Sequence, residues 1–260
     1  MIDFEKYDLY ILDMDGTLYI ENKLIDGAAE FINKLREKRK KYLFLTNNSS
    51  VNKNDYIKKL NKLGIPCTEN NIFSSGMAAG IFISEKRIGK SVFLVGTKAL
   101  KRELNRYGIK ITNKNPDIVL VGFDRELCYN KVEKACKFLF DGAEFIATNP
   151  DLLYPIKNNR FIPDCGSICH MLITATNKKP IYIGKPNSYM INLIIEKYGI
   201  IKEKTLLIGD RLYTDIAAGI NTGVDTILVL SGETNLAMLE NSNYQPSSVL
   251  PSIKNLIEKL

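Results

Sequence analysis

No uninterrupted apolar run in this sequence approaches the roughly 20 residues that a membrane-crossing helix needs, so a bilayer span is not expected. The opening residues, Met1-Ile2-Asp3-Phe4-Glu5-Lys6, carry acids where a secretory signal has a basic stretch and then an apolar one. A cytoplasmic location is the expectation. Histidine is nearly missing: the one residue, His170, stands beside Cys169 rather than at a ligand spacing. Five cysteines (Cys67, Cys128, Cys136, Cys165, Cys169) include a pair four apart, Cys165 and Cys169, but no second pair completes a zinc set. They are expected as buried or half-buried reduced thiols. The sequence also lacks a Gly-x-Gly-x-x-Gly after a strand and a Walker-type Gly-Lys-Ser/Thr, which argues against a nucleotide-cofactor domain. Low-complexity tracts and short-period repeats are absent too.

What remains is an ordinary globular composition. Of 260 residues, 45% are apolar and 25% charged, enough to bury one large core or two modest ones. The net charge is +7, but it comes in short clusters such as Arg36-Glu37-Lys38-Arg39-Lys40-Lys41 at helix ends. Those read as solvated helix surface, not as a nucleic-acid stripe with interleaved aromatics. A positive field of this size can still draw in anionic substrates.

Short β-branched runs alternate with amphipathic helices, which predicts an α/β protein with a parallel sheet. Strands are expected at 8–13, 42–46, 92–96, 118–122, 144–148, 181–184, 205–209 and 226–230. Helices are expected near 28–38, 53–63, 78–84, 99–107, 131–140 and 167–176. A further helix is expected to be capped by Ser188 and to run to Gly199, and another to close the chain from Ile253 to Leu260. The pattern reads as two α/β blocks, the second inserted in the first.

Polar residues collect where strands end, which is where open parallel sheets build their functional crevice. After the first strand comes Asp13-Met14-Asp15-Gly16-Thr17-Leu18-Tyr19. Two carboxylates two residues apart, with Gly16 permitting a tight reversal, can face one pocket. Phosphoryl transfer needs a nucleophile and an acid for the leaving oxygen; Asp13 suits the first role and Asp15 the second. After the second strand, Thr46-Asn47-Asn48-Ser49-Ser50 offers hydroxyl, amide and backbone N–H groups as a phosphate cradle. Further on, Gly184-Lys185-Pro186-Asn187 places a lysine able to offset the charge of Asp13 and phosphate, with Pro186 expected to open the next helix. Gly209-Asp210-Arg211-Leu212-Tyr213-Thr214-Asp215 puts Asp210 at a strand end, a fitting magnesium ligand, and Asp215 where it can orient bound water or Lys185. Each segment alone also has a plainer explanation, as a turn or a helix cap.

Together, and in this order, the four segments resemble the motifs of the haloacid dehalogenase-like hydrolase superfamily. The likeness is nearest to its NagD-like, para-nitrophenylphosphatase-type subfamily and also takes in Ala147-Thr148-Asn149-Pro150-Asp151 and Gly166-Ser167. The resemblance implies a Rossmann-like parallel-sheet core formed by 1–79 and 179–260, with a large α/β cap inserted over 80–178. It implies Mg²⁺ held by Asp13, the Asp15 backbone carbonyl and Asp210, a phosphoryl group bound by Thr46, Asn47 and Lys185, and Asp215 as an outer support. The acid at position 15 separates this pattern from dehalogenases, which lack it, and from transport ATPases, which have Asp-Lys-Thr-Gly-Thr. The implied activity is hydrolysis of a small phosphate monoester through a phospho-aspartate on Asp13. A phosphotransferase and a silent regulatory protein of the same fold are the alternatives. Substrate choice is expected in the cap, with Asn149, Asp151, Asp164 and His170 as candidates, although a lone histidine after Cys169 on a helix reads more readily as packing. Nucleoside monophosphates and sugar phosphates fit equally. Neither nucleic acid nor membrane is an expected partner, and a homodimer is left open because caps of this kind often carry a dimer contact.

Overall fold

The computed structural model describes residues 4–156 and 160–260, so the first three residues of the acidic opening lie outside the described part. The chain divides into two compact units. One holds the segment up to Thr46, Asn54–Phe73 and Lys185–Leu260; the other holds Asn47–Lys53 and Ser74–Gly184.

The first unit begins with β1 (Leu9–Asp13), every residue of which is buried, as befits a strand covered on both faces of a parallel sheet. A small hairpin follows, β2 (Tyr19–Ile20) and β3 (Lys23–Leu24). Helix α1 (Ala28–Glu37) buries Phe31, Ile32 and Leu35 along one stripe. Then come β4 (Lys41–Thr46), α2 (Lys53–Lys62), which buries Tyr56 and Leu60, and β5 (Ile72–Ser74).

The second unit starts its main run with α3 (Ser75–Lys86), capped by the Ser74 hydroxyl. It continues through β6 (Val92–Val95), α4 (Lys98–Asn105), β7 (Ile118–Val121), α5 (Tyr129–Phe140) and β8 (Glu144–Ala147). A hairpin, β9 (Leu153–Ile156) and β10 (Arg160–Pro163), precedes α6 (Cys165–Thr176) and β11 (Ile181–Tyr182). Its sheet has the order β11-β8-β7-β6, all parallel. Phe93, Phe138, Phe145, Ile168 and Leu172 lie in its core.

Back in the first unit, α7 (Tyr189–Tyr198), β12 (Thr205–Gly209), α8 (Ala217–Thr222), β13 (Asp225–Val229), α9 (Leu236–Glu240) and β14 (Ser248–Leu250) complete the chain. The six-stranded sheet runs β14-β13-β12-β1-β4-β5. Counted in order of appearance within the unit, that is 6-5-4-1-2-3, the doubly wound order with its switch point between β1 and β12. There Leu12 lies opposite Ile208, and on the other flank Asp13 lies opposite Leu45. The carboxyl ends of β1, β4 and β12 are thereby side by side.

Several boundaries differ from the sequence expectation. Ser188 does not cap α7 with its side chain: its backbone is already helical (φ −68, ψ −14), whereas a capping hydroxyl needs an extended residue. The Asn187 side chain accepts the Tyr189 N–H instead, and Pro186 lies before the helix rather than opening it. The closing segment Ile253–Lys259 winds as a 3-10 helix, begun by the Asn255 N–H bonding to the Ser252 carbonyl. All five cysteines are free thiols; Cys67, Cys165 and Cys169 are buried and Cys136 partly so, but Cys128 is exposed. No helix among the described residues is long and apolar enough to cross a membrane.

Candidate active site

Asp13 closes β1, and the chain must turn sharply after it. The Met14 carbonyl accepts from the N–H groups of Thr17, Leu18 and Tyr19, and the Gly16 N–H returns to the Tyr19 carbonyl at 2.8 Å. Gly16 holds φ +88, and a Cβ there would stand 2.4 Å from Asp210 Oδ2, so only glycine lets the turn pass this close. Asp15, on the same turn, is half-buried. The Tyr19 hydroxyl donates to its Oδ2 over 3.4 Å.

Asp210 follows β12 directly, and a π-helical turn, Leu212–Ile216, carries Asp215 back beneath it. Lys185 ties the group together: its ammonium donates to Asp13 Oδ1 and to Asp215 Oδ1, both at 2.6 Å. Asp13, Asp210 and Asp215 are all buried, with ligand oxygens within 4.8 Å of one another. Lys185 itself is only 2% exposed, so neither it nor its partners can shed charge into water. Thr46 is the buried last residue of β4, one place beyond the Leu45 that faces Asp13.

The electrostatics follow from burial. Desolvation pushes Asp13 well above the ordinary carboxylate range, the charges of Asp215 and Asp210 push it further, and Lys185 only partly opposes them. Asp210 is pushed up to about 7, first by burial and then by Asp215, with Arg211 and the Glu233 N–H pulling the other way. Burial works against the Lys185 cation, but Asp13 and Asp215 outweigh it and hold the ammonium above its ordinary value. Three carboxylates against one ammonium leave two negative charges uncompensated when all are ionised. A buried surplus of that size is costly unless something neutralises it.

The donor set fits a small hard dication. Asp13 commits Oδ1 to Lys185 and Asp210 commits Oδ2 to the Glu233 N–H at 2.8 Å, which leaves Asp13 Oδ2 and Asp210 Oδ1, the latter reached by a long 3.5 Å bond from the Thr17 hydroxyl, to face a cation. Asp215 has both oxygens engaged, Oδ1 by Lys185 and Oδ2 by the Arg211 N–H at 3.1 Å, which leaves it the supporting part.

Three supports went unremarked in the sequence. The loop after β13 wraps this site: Ser231 Oγ donates to the Gly16 carbonyl at 2.8 Å, and a Cβ on Gly232 would stand 2.0 Å from Asp210 Oδ2. Glu233 is clamped by Arg211 Nε at 2.9 Å and by the Tyr213 hydroxyl at 2.6 Å, which fixes the N–H that Asp210 uses. The signal was available, since Ser231-Gly232 follows a buried strand just as the other segments do. The third support, Lys59 over the Tyr19 ring, had no such mark.

The other sequence candidates lie in the second unit. Asn149 is fully buried and Asp151 and Asp164 nearly so. The Asn149 amide donates to Asp151 Oδ2 at 3.1 Å and more weakly to Asp164 Oδ1, and the Asn47 amide donates to the same Asp151 oxygen at 3.0 Å. Asp164 caps α6 by accepting the Cys165 N–H at 2.5 Å. His170 stands apart, exposed on α6, so the packing reading of it is corrected. The helix turns that residue outward while Cys169 faces in.

Comparison with known proteins agrees with this architecture. The profile of the haloacid dehalogenase-like hydrolases matches residues 10–110, and one described as HAD-hydrolase-like matches 182–256. The chain is 34% identical over 251 residues to the 5'-nucleotidase YutF of Bacillus subtilis, covering 96% of this chain and 98% of that protein. It is 36% identical over 246 residues to the ribonucleotide monophosphatase NagD of Escherichia coli, covering 95% and 96%. The crystal structure of a 4-nitrophenylphosphatase from Thermotoga maritima superposes with a TM-score of 0.95 at 40% identity, over 99% of each chain. With two profiles, full-length relatives and this sheet order in agreement, the chain belongs to the haloacid dehalogenase-like hydrolase family, on its NagD-like, para-nitrophenylphosphatase-type branch of phosphatases.

Proposed function

We propose that this phosphatase hydrolyses small phosphate monoesters through a phospho-aspartate on Asp13, with Asp15 as acid and then base. One observation carries the reading: at the β1/β12 switch point Asp13 shares a single buried lysine with Asp215 and lies within ligand distance of Asp210. A carboxylate oxygen of Asp13 attacks phosphorus while the bond to the ester oxygen breaks, and the departing oxygen takes its proton from Asp15. A water then gives a proton to the Asp15 carboxylate and attacks the same phosphorus. The Asp13–phosphorus bond breaks, inorganic phosphate leaves, and both acids return to their starting states.

Lys185 remains protonated throughout and balances the nucleophile and the phosphoryl oxygens, with Thr46 as a hydroxyl donor at the neighbouring strand end and Asn47 next in the chain. When bound by Asp13, the Asp15 backbone carbonyl and Asp210, Mg²⁺ would neutralise charge on the nucleophile and on the transferring group. Asp215 orients Lys185. Within the second unit we assign the inserted stretch, expected over 80–178, as the cap that selects the substrate, here a nucleoside monophosphate, a sugar phosphate or a similar metabolite, in keeping with relatives named for nucleotides and for sugar phosphates.

The test is a panel of phosphorylated metabolites with and without Mg²⁺, on the native chain and on Asp13→Asn. Phosphate release that needs the metal, matches alcohol release one for one and disappears in Asp13→Asn is the expected result. Full activity in Asp13→Asn removes that residue as the nucleophile, and alcohol release in excess of phosphate makes the chain a phosphotransferase.

A further inference from the structure

The turn that carries Asp15 is braced from one side by Tyr19, at the end of the first motif segment, and by Lys59, which belongs to none of the four. Tyr19 is fully buried and is tied to the turn through its backbone, where its carbonyl accepts the Gly16 N–H at 2.8 Å. Its hydroxyl reaches Asp15 Oδ2 at 3.4 Å, long for a hydrogen bond between an O–H and a carboxylate. Behind the ring, Lys59 of α2 places its ammonium 3.7 Å from the ring centroid, inside the range where a cation is held by the π face. Lys59 is half-buried, and both Asp15 and Glu21 lie within its electrostatic reach.

These contacts form a line: ammonium, ring, hydroxyl, carboxylate. A cation over a phenol draws electron density away from the oxygen, which makes its O–H a stronger donor. The Lys59 ammonium caps one face of the ring and holds it in place, with its hydroxyl toward Asp15 Oδ2. An acid that must deliver a proton to a leaving oxygen works only within hydrogen-bond reach, and small misplacements are expensive in rate. We propose that Lys59 and Tyr19 are positioning residues for Asp15, the stacked ammonium fixing the ring whose hydroxyl holds the Asp15 carboxyl toward the leaving group. The assignment rests on the reading of Asp15 as the general acid.

Two substrates that differ only in leaving group separate this role from a structural one. Phenyl phosphate releases a strongly basic phenolate and needs the proton; 4-nitrophenyl phosphate releases a weak base that departs without it. The ratio of kcat/KM for the two, phenyl over nitrophenyl, reports proton donation in the first transfer. It does not depend on how much of the protein is folded, since both substrates sample the same population.

The ratio is measured with Mg²⁺ for the native chain, Lys59→Met, Lys59→Arg, Tyr19→Phe and Asp15→Asn. Lys59→Met and Tyr19→Phe are expected to lower it about five- to tenfold, the net worth of one ordinary hydrogen bond, as fits the long 3.4 Å contact. Lys59→Arg, whose guanidinium also stacks on aromatic faces, is expected to stay within about twofold of native. Asp15→Asn should lower it most. If Lys59→Met and Tyr19→Phe slow both substrates equally while Asp15→Asn shifts the ratio, the pair is mere packing and the proposal is overturned. If Asp15→Asn leaves the ratio unmoved, the general-acid reading itself fails, and the role of the pair with it.

Discussion

Each unit buries a knot of acids, and the two knots are built on opposite terms. In the second unit Asp151 and Asp164 meet amide donors: Asn47 and Asn149 supply N–H groups, and the first turn of α6 supplies another. In the first unit Asp13, Asp210 and Asp215 meet one another and a single ammonium. Burial is near complete in both, so exposure does not distinguish them. What differs is the remainder. Amides and a helix start stabilise a buried carboxylate by hydrogen bonds and leave architecture, although here their bonds go to Asp151 Oδ2 while its buried Oδ1 accepts none. Acids gathered around too few cations keep a surplus that only a guest can neutralise, and such groups carry chemistry.

The sharpest way to break that contrast is to remove the one cation. Lys185→Met leaves three buried carboxylates with no ammonium among them. Metal-free stability at pH 7 should fall by about 3 kcal/mol, the usual scale for orphaning buried charge, and by less near pH 5, where the raised carboxyls of Asp13 and Asp210 protonate. Phosphate release should drop by about three orders of magnitude, because the preorganised positive charge is gone. Urea unfolding at the two pH values and steady-state turnover check both parts; a loss of stability equal at pH 5 and pH 7 would mean that Lys185 matters for packing, not for charge.

Asp210→Asn should act with the opposite sign on stability. The carboxyl of Asp210 is pushed up to about 7 by burial and by Asp215, so its ionisation works against the fold. An amide of the same shape can still accept the Glu233 N–H. The metal-free variant is therefore expected to be more stable than the native chain at pH 8, by roughly 1–3 kcal/mol, while losing the stabilisation that Mg²⁺ gives. Thermal unfolding with and without Mg²⁺ reads both effects.

The same raised value fixes a pH dependence for the metal-free native chain. Between the ordinary carboxylate value of about 4 and about 7, folded Asp210 binds more protons than the unfolded chain does. Stability from this group is thus fully present below about 4 and is lost as pH rises to about 7. Since Mg²⁺ needs the ionised form, the rise in Tm that it produces should grow over that window and level off above it. A magnesium shift that is constant from pH 5 to pH 8 contradicts the assignment of Asp210 as the titrating ligand.

Much of this site was legible because strand ends can be read from a sequence. Leu9–Asp13, Lys41–Thr46 and Thr205–Gly209 each carry an apolar run that stops at a polar residue, and Asp13, Thr46 and Asp210 occupy those stops. Lys185 was legible only as a residue of the right charge; that it is buried between Asp13 and Asp215 comes from the fold. The hairpins β2–β3 and β9–β10 were not foreseen, since strands of two to four residues carry too little alternation to register. Glu233 was hidden because it serves Asp210 through a backbone N–H, which any residue possesses. Lys59 was one lysine among many, and only tertiary packing sets it on Tyr19. Local pattern reveals what a strand end offers, but not which distant side chain comes to meet it.

The mildest test addresses the quenched knot. Asp164 has extended backbone angles (φ −100, ψ −171) and accepts the Cys165 N–H, the arrangement of an N-cap, at the start of a twelve-residue helix. Asp164→Ala removes the acceptor and leaves that N–H buried without it, so stability should fall by about 1 kcal/mol, or up to about 2 if the Asn149 amide also loses its weaker bond. Asp164→Asn keeps an acceptor oxygen and should recover most of the loss. Neither change removes surplus charge from the first unit, so the rise in Tm caused by Mg²⁺ should be the same as in the native chain. A gain in stability from Asp164→Asn, of the kind expected at Asp210, would mean that this second knot is also short of cations, and the contrast between the two would vanish.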